Sequence, residues 1–283
     1  MRIRATVAAV SGALALSALA VPAAQADGHI SLASLVPTTS KITPFTGSSP
    51  ADEVVGDTQI TGVTVNSGKD IVVGISQKKT FTISVTATDP SGIYDGYAML
   101  WHGSDLDNVD GAIVPDADMG TCTATSDTTG TCSVTVVADP NDNIYANILA
   151  GTWKVWAGAV GNDGDYVITD AYKTARVQRA SKLTVNAAPE PVKKGRTVTV
   201  TGKLSRANWD DLAYHGYTAQ SVQLQFRKKT SDTYTTLKTV KTDSSGNLKT
   251  TTTATVDGYF RYNFAGTSTT PAVKATGDYV DVQ

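Results

Sequence analysis

The 283-residue sequence predicts an all-β protein with two antiparallel sandwich domains in tandem. Thr, Val and Gly are abundant in the composition, while the helix-favouring residues Leu and Glu are scarce. No long stretch has the i, i+3, i+4, i+7 apolar spacing of an amphipathic helix, and several segments show the period of two that is typical of β-strands. At roughly 100 to 150 residues per domain, this length predicts two domains.

Residues 1–26 have the features of an export signal. Arg2 and Arg4 precede an apolar stretch at residues 7–21, and residues 24–26, Ala-Gln-Ala, form a small-residue cleavage site. No later stretch has the run of about 18 apolar residues that a membrane-spanning helix needs. We therefore expect a secreted protein without a membrane span, either extracellular or associated with the cell wall.

Residues 27–52 are rich in Ser, Thr and Pro and predict a flexible arm. The first domain is expected at residues 53–179. Its clearest strand is residues 80–88, in which apolar residues alternate strictly with Thr and Ser. Turns rich in Asp, Asn and Gly separate the strands. The other strands predicted here are residues 59–65, 96–101, 131–137, 152–159, 166–169 and 172–177.

The second domain is expected at residues 183–283. Residues 197–204, 221–227 and 258–265 each place large apolar side chains on one face, and hairpin turns are predicted near Gly246 and Gly258. Seven strands in about 100 residues fit an immunoglobulin-like sandwich, and we expect this architecture in both domains. The remaining strands predicted here are residues 183–186, 234–242, 247–255 and 279–282.

Charge is distributed unequally between the two halves. Residues 27–180 carry 18 acidic against 8 basic side chains, and residues 181–283 carry 14 basic against 8 acidic ones. This difference supports a domain boundary near residues 179–183. The basic strip at residues 227–229 is small and lacks interleaved aromatic residues, so we expect no nucleic acid partner.

Cys122 and Cys132 are the only cysteines, and they flank a turn-forming stretch at residues 126–130. In an oxidising compartment they predict a disulfide across a β-hairpin. Closing such a short loop stabilises a fold by about 2 to 3 kcal/mol on the chain-entropy model. Two cysteines without nearby histidines are too few for a structural zinc site.

An Asp-rich stretch in the first domain is one candidate metal site. Asp105, Asp107 and Asp110 lie close together around Asn108. Calcium takes six to eight oxygen ligands, so a loop rich in Asp and Asn offers suitable groups. The spacing is not that of an EF-hand, because Gly111 comes seventh, rather than sixth, counting from Asp105. An irregular calcium loop and an ordinary solvated turn both fit the pattern.

A second candidate is the stretch Asp139-Pro140-Asn141-Asp142-Asn143, which resembles the D-x-N-D-N motif of cadherins. Cadherins use this motif to bind calcium between successive sandwich domains, whereas here it stands well before the predicted boundary. The resemblance implies oxygen ligands from Asp139, Asn141, Asp142 and Asn143. Because Asp and Asn side chains also bond their own backbone, an Asx-rich turn is the alternative.

Longer stretches resemble secreted actinobacterial proteins. Residues 199–204, Thr-Val-Thr-Gly-Lys-Leu, and 257–261, Asp-Gly-Tyr-Phe-Arg, resemble bacterial Ig-like domains. Residues 86–93, Thr-Ala-Thr-Asp-Pro-Ser-Gly-Ile, and 150–156, Ala-Gly-Thr-Trp-Lys-Val-Trp, resemble the uncharacterised β domain that precedes such a domain in Streptomyces secreted proteins, some of them labelled calcium-binding. The resemblance implies a secreted two-domain protein, and it implies the fold more firmly than any activity.

Aromatic residues give a further binding hypothesis. Tyr94, Tyr97 and Trp101 lie close together in the sequence and could stack on a sugar ring or a peptide if they were exposed. In a strand Tyr97 and Trp101 share one face, which favours core packing, and burial of Trp101 would remove the hypothesis. Trp209 and Tyr214 are likewise expected to cover a core.

Catalysis is harder to argue. The histidines His29, His102 and His215 belong to no hydrolase motif, and an Asp pair such as Asp105 and Asp107 would need to face each other across a cleft. We therefore expect a non-catalytic binding or surface-associated module that uses calcium. A metal-free structural or adhesive protein that binds an extracellular protein or glycan is the alternative, and a hydrolase comes third.

Overall fold

The structure, a computed structural model, describes residues 29–36 and 52–283. The predicted export signal lies outside the described residues, as does most of the predicted arm. The regular structure of the described part is almost entirely β, since it consists of twenty strands, one four-residue α-helix, α1 (Leu32–Leu35), and 3-10 turns at Asn66–Gly68 and Asn147–Leu149. The all-β prediction is confirmed.

The first ten strands form the first domain. They build a six-stranded sheet in the order β1-β10-β9-β5-β6, with β3 beside β10, and a four-stranded sheet in the order β2-β4-β8-β7. Neighbouring strands are antiparallel except β3, which runs parallel to β10. The strands are β1 (Glu53–Val55), β2 (Gln59–Val65), β3 (Ile71–Val73), β4 (Lys79–Thr88), β5 (Ile93–Gly103), β6 (Val109–Ile113), β7 (Thr121–Ser126), β8 (Thr129–Ala138), β9 (Gly151–Gly161) and β10 (Tyr166–Arg179).

The two sheets of the first domain pack face to face. Gly96 of β5 lies against the other sheet so closely that a Cβ there would stand 2.8 Å from Cβ of Cys132. Because side chains alternate along a strand, Ala98 and Leu100 point into the same space, where both are fully buried. This interior is the main core of the domain.

The disulfide predicted between Cys122 and Cys132 is confirmed. The two residues lie directly opposite each other in the β7–β8 hairpin, with Cα atoms 3.9 Å apart. Strand β7 is an edge strand that is exposed along most of its length. The bond therefore ties a weakly buried edge to the sheet.

The outer face of the six-stranded sheet is buried as well. Tyr97, Met99 and Trp101 of β5 share this face with Trp156 of β9, and each is at most 2% exposed. Trp101 donates its indole N–H to the backbone oxygen of Asp170 at 2.7 Å. Core packing is therefore the correct interpretation for Tyr97 and Trp101, whereas Tyr94 is 40% exposed, and burial of Trp101 removes the hypothesis of an aromatic platform.

An N-terminal segment, residues 29–36, lies on this outer face. Leu32 of α1 is fully buried, and it fills the space that a side chain at Gly158 of β9 would occupy. Val36 is 6% exposed. His29 stacks on Tyr94 with ring centroids 3.9 Å apart. The prediction of a flexible arm is wrong for residues 29–36, because two apolar side chains anchor them to the first domain.

The other ten strands form the second domain. One sheet has the order β11-β13-β12, with β14 and β17 also paired to β13, and the other has the order β16-β15-β18-β19, with β20 paired to β18. Val198, Val200, Leu224 and Tyr262 are fully buried between them. The strands are β11 (Ser181–Leu183), β12 (Asn186–Ala188), β13 (Thr197–Asn208), β14 (Ala213–Gly216), β15 (Ser221–Lys228), β16 (Thr235–Lys241), β17 (Asn247–Thr253), β18 (Gly258–Phe264), β19 (Val273–Lys274) and β20 (Asp278–Val280).

Trp209, which follows β13, packs on the first domain rather than on the second. It is 2% exposed, belongs to the core cluster of the first domain, and donates its indole N–H to the backbone oxygen of Gly74 at 3.0 Å. Tyr214 is partly buried against the same cluster. Both residues cover a core, as predicted, but the core is that of the neighbouring domain.

Several strands differ from the prediction. The strand predicted at residues 183–186 is interrupted, since β11 ends at Leu183 and β12 begins at Asn186. The two strands predicted between residues 166 and 177 are one strand, β10, with a register shift between Thr169 and Lys173. The strands that the sequence did not reveal are β1, β3, β6, β7, β14 and β19.

Candidate functional site

Three aspartates from different turns meet at one end of the first domain. Asp57 lies between β1 and β2, Asp89 follows β4, and Asp165 immediately precedes β10. One carboxylate oxygen from each lies within 4.8 Å of the others. Among the described residues, no other group of three or more Asp, Glu, His or Cys side chains is gathered this closely. We refer to these three residues as the aspartate cluster.

Asp89 is the buried member of the aspartate cluster, at 1% exposure. Its Oδ2 accepts a hydrogen bond from the Thr58 hydroxyl at 2.5 Å, and its Oδ1 accepts bonds from the backbone N–H of Ser91 at 2.7 Å and from the Ser91 hydroxyl at 2.5 Å. Burial alone would raise the pKa of Asp89, but the bonds from Ser91 and Thr58 outweigh it and lower the pKa. Asp89 is therefore held as a carboxylate.

Two glycines bring the backbone close to these carboxylates. Gly56 has φ of +77°, and a Cβ there would stand 1.6 Å from Oδ2 of Asp165. A Cβ on Gly161 would stand 2.4 Å from Oδ2 of Asp89 and 2.9 Å from Oδ1 of Asp163. Any side chain at either position would displace a carboxylate. The close approach also places Asp163 beside the aspartate cluster.

Repulsion between these carboxylates contributes to a raised pKa of Asp57. Desolvation raises its pKa, and the nearby charges of Asp89, Asp165 and Asp163 raise it further. The backbone N–H of Asp57 donates to Oδ2 of Asp165 at 3.1 Å. Within residues 29–36 and 52–283, none of these four aspartates forms an ion pair with Lys or Arg. The negative charge therefore has no cationic partner in the described part of the chain.

The first predicted calcium loop is arranged differently. Oδ1 of Asp105 accepts hydrogen bonds from the backbone of Asp107 and the side chain of Asn108, at 3.1 and 2.7 Å. Asp110 lies in strand β6 rather than in the loop, and it pairs with Nδ1 of His102 at 2.5 Å. The three predicted ligands Asp105, Asp107 and Asp110 are not brought together as a group.

The second predicted calcium loop is bonded to itself and to a lysine. Oδ1 of Asp139 accepts the backbone N–H of Asn141 at 2.9 Å, and Oδ2 pairs with Nζ of Lys78 at 2.9 Å. Oδ1 of Asn143 accepts the backbone N–H of Asp139 at 2.9 Å. The side chain of Asp142 is exposed. This is the geometry of an Asx turn, with the Lys78 ammonium as the cation beside it.

The sequence alone does not reveal the aspartate cluster, because its members are far apart in the chain. Asp89 belongs to the stretch Asp89-Pro90-Ser91-Gly92, and Asp165 ends the stretch Gly161-Asn162-Asp163-Gly164-Asp165. Both stretches have the composition of typical turns. They meet because β4 and β10, which belong to different sheets, end near each other at one end of the domain, and periodicity does not give the arrangement of strands and sheets.

Comparisons with known proteins give a family match to part of the chain and no function. Residues 72–159 match the model of a family of unknown function, DUF5707. This match covers β3 to most of β9 and includes Asp89. The comparison with curated proteins finds no match.

Solved structures to which this chain is similar include an adhesin, a domain of intimin and two domains of titin. The Escherichia coli adhesin FdeC is 14% identical with a TM-score of 0.31, and the alignment covers 82% of this chain and 66% of that one. The D00-D0 domain of intimin is 16% identical with a TM-score of 0.25, covering 77% of this chain and 98% of that one. Titin domains Z1Z2 are 11% identical with a TM-score of 0.21, covering 82% and 97%. At these scores the similarities carry no argument about function.

A search of the described residues for a helix that is long and apolar enough to cross a membrane finds none.

Proposed function

We propose that the protein is a non-catalytic extracellular binding or surface-associated module whose first domain binds calcium at the aspartate cluster. The observation that supports this proposal is the convergence of Asp57, Asp89 and Asp165 within 4.8 Å, from three turns, without a cationic partner in the described residues. Like charges at this distance repel one another, and a bound cation would remove that repulsion.

The ligand types favour calcium. Carboxylate oxygens are hard ligands, and the cluster contains no imidazole or thiolate of the kind that zinc prefers. Calcium accepts six to eight oxygens in flexible geometry, so backbone carbonyls and water can complete a shell that the aspartates begin. Asp163, beside the cluster, is the fourth carboxylate that we assign to this site.

A calcium ion here would join three connections of the first domain. The turns between β1 and β2 and between β4 and β5 pass from one sheet to the other, and the turn between β9 and β10 belongs to the six-stranded sheet. The ion would therefore tie these turns together at one end of the sandwich. We therefore assign calcium a stiffening role. In this proposal the site differs from the two loops predicted from the sequence, at Asp105 and Asp139.

The proposal is tested by thermal melting in EDTA and in millimolar calcium. Binding to the folded state alone raises its stability by RT ln(1 + [L]/Kd), about 2.7 kcal/mol at a hundredfold excess over Kd, which shifts the melting temperature by several degrees. We expect this shift in the wild type and its loss in Asp165→Asn. Asp107→Asn, which removes an exposed charge from the same domain, serves as the matched control and should keep the shift.

The same experiment distinguishes the calcium loops. Loss of the shift in Asp105→Ala or Asp139→Ala, but not in Asp165→Asn, would place the ion in one of the loops predicted from the sequence. The absence of any shift in the wild type would contradict calcium binding altogether.

A metal-free structural or adhesive protein is the second candidate function. It is favoured by one observation, that Thr58 and Ser91 already donate hydrogen bonds to both oxygens of Asp89, which leaves that carboxylate satisfied without a metal. In this case the partner would be an extracellular protein or a cell-wall glycan. A calcium-independent melting temperature would support it.

A further inference from the structure

A pair of arginines lies at the junction of the two domains. Arg179 is the last residue of β10, and Arg206 lies in β13 of the second domain. Arg179 is only 8% exposed. Its backbone N–H donates to the oxygen of Thr269 at 3.0 Å, so the residue is fixed in place by the loop that precedes β19. Both arginines contact the same loop, Arg179 through this bond to Thr269 and Arg206 through the hydroxyl of Thr270.

Neither arginine has a carboxylate partner among the described residues. Nε of Arg179 donates to the backbone oxygen of Ala207 at 2.6 Å, which is the one hydrogen bond of its side chain within the described residues. The guanidinium of Arg206 lies 3.9 Å from the ring centroid of Tyr217, and its Nη1 donates to the Thr270 hydroxyl at 3.4 Å. Burial lowers the pKa of Arg179 to about 10, and repulsion from Arg206 adds to that effect.

The nearest acidic side chains are already bonded elsewhere. Asp210 and Asp211 are near enough to act on Arg179 electrostatically. Oδ1 of Asp210 accepts the backbone N–H of Asn147 at 2.9 Å, and its Oδ2 accepts the side-chain amide of the same residue. Asp211 pairs with Nε2 of His215 at 2.6 Å. These contacts leave the two guanidinium groups without a direct counter-ion in the described part of the molecule.

A buried guanidinium without a counter-ion is costly, because desolvating a charge is compensated only by a partner of opposite sign and by hydrogen bonds. Arginine matches oxyanions well, since its planar fork of N–H groups can donate two parallel bonds to a carboxylate or a phosphate. We propose that Arg179 and Arg206 form a binding site for an oxyanion group, a carboxylate or a phosphate, at the junction of the two domains.

The position of this site gives the ligand a structural effect. The loop at residues 267–270 is held from the first domain by Gln178, whose side-chain amide donates to the backbone oxygen of Thr267 at 3.0 Å. The same loop meets Arg206 through Thr270. An oxyanion between Arg179 and Arg206 would therefore clamp one domain to the other.

The test is a titration of the wild-type protein at constant ionic strength, with chloride as the balancing anion. Inorganic phosphate and glucuronate are the two probes, because they separate a phosphate source from a carboxylate source. We expect at least one probe to raise the melting temperature and to shift the Nε–Hε resonances of Arg179 and Arg206 in a saturable way. The resonances report directly on the site, even if an arginine variant fails to fold.

The variant for this test is Arg206→Gln, with Lys241→Gln as the matched control. Lys241 is an exposed residue of the same domain, so its replacement changes the net charge equally. The probe should stabilise Lys241→Gln as it does the wild type, while Arg206→Gln should lose at least tenfold in affinity. Unshifted arginine resonances at 50 mM of both probes, or equal stabilisation of both variants, would overturn the proposal.

Discussion

At the scale of single residues, aspartates carry most of the distinctive chemistry of the first domain, and their surroundings decide what each can do. Asp139 is fixed by Asn141 and Lys78, and both interactions lower its pKa. In Asp57 the pKa is shifted in the opposite direction, because desolvation and the neighbouring carboxylates both disfavour its ionised form. Aspartate therefore stabilises the turn at Asp139, whereas at Asp57 its charge is unfavourable.

The strain at Asp57 predicts a pH-dependent effect of Asp57→Asn. A carboxyl whose pKa is raised in the folded state supports folding below its unfolded pKa, and that support is lost as the pH rises through the folded value. In EDTA at pH 7, Asp57→Asn should therefore melt at a higher temperature than the wild type.

Near pH 3, where aspartates are largely protonated in both states, the difference should vanish. Thermal melts at the two pH values check this prediction, with Asp107→Asn as the control for net charge. A lower melting temperature for Asp57→Asn in EDTA at pH 7 would show that Asp57 is not strained.

At the scale of elements, the strands were more predictable than the contacts between them. Strand β4 alternates apolar and polar residues strictly, so its bounds and its buried face follow from the sequence. Strand β5 breaks that rule, because both of its faces are buried from Asp95 to Trp101. The short edge strands, such as β1 and β3, have too few residues for a period to be visible. The aspartate cluster could not be predicted, since it depends on how the two sheets stack and on which of their turns meet.

The N-terminal segment, residues 29–36, shows why composition misleads for short stretches. It lies in a region rich in Ser, Thr and Pro, yet Leu32 and Val36 are enough to fix it to the outer face of β5 and β9. Leu32→Ala should destabilise the first domain by about 2 to 5 kcal/mol, as expected for the loss of a fully buried leucine.

Denaturant unfolding measures this change. Ser34→Ala, at an exposed position of the same helix, is the control and should change stability by no more than about 0.5 kcal/mol. Equal stability of the two variants would show that the segment does not contribute to the folded state.

At the scale of the whole molecule, the two domains differ in net charge, but a side chain of one packs in the core of the other. Trp209 comes from the second domain and is buried in the core of the first. Asn147 of the first domain also bonds to the second domain. Its backbone N–H donates to Asp210, and its side-chain oxygen accepts the backbone N–H of Trp209 at 3.0 Å. Such contacts predict that the domains unfold together.

Trp209→Ala tests this coupling. The substitution removes a large buried side chain and its hydrogen bond to Gly74, so it should cost about 3 to 5 kcal/mol. Calorimetry should then resolve two transitions where the wild type shows one, with the first domain melting earlier. A single unshifted transition would mean that the domains are stabilised independently of Trp209.

The location of Trp209 also bears on the order in which the protein can mature. A chain made from its N-terminus completes all ten strands of the first domain before Trp209 has been added. Until then the apolar site beside Gly74 that Trp209 occupies in the folded protein is accessible to water or to an apolar side chain of another molecule. The first domain is therefore synthesised first, but its core is completed only after residue 209 has been added. A chain that ends before residue 209 leaves that core incomplete.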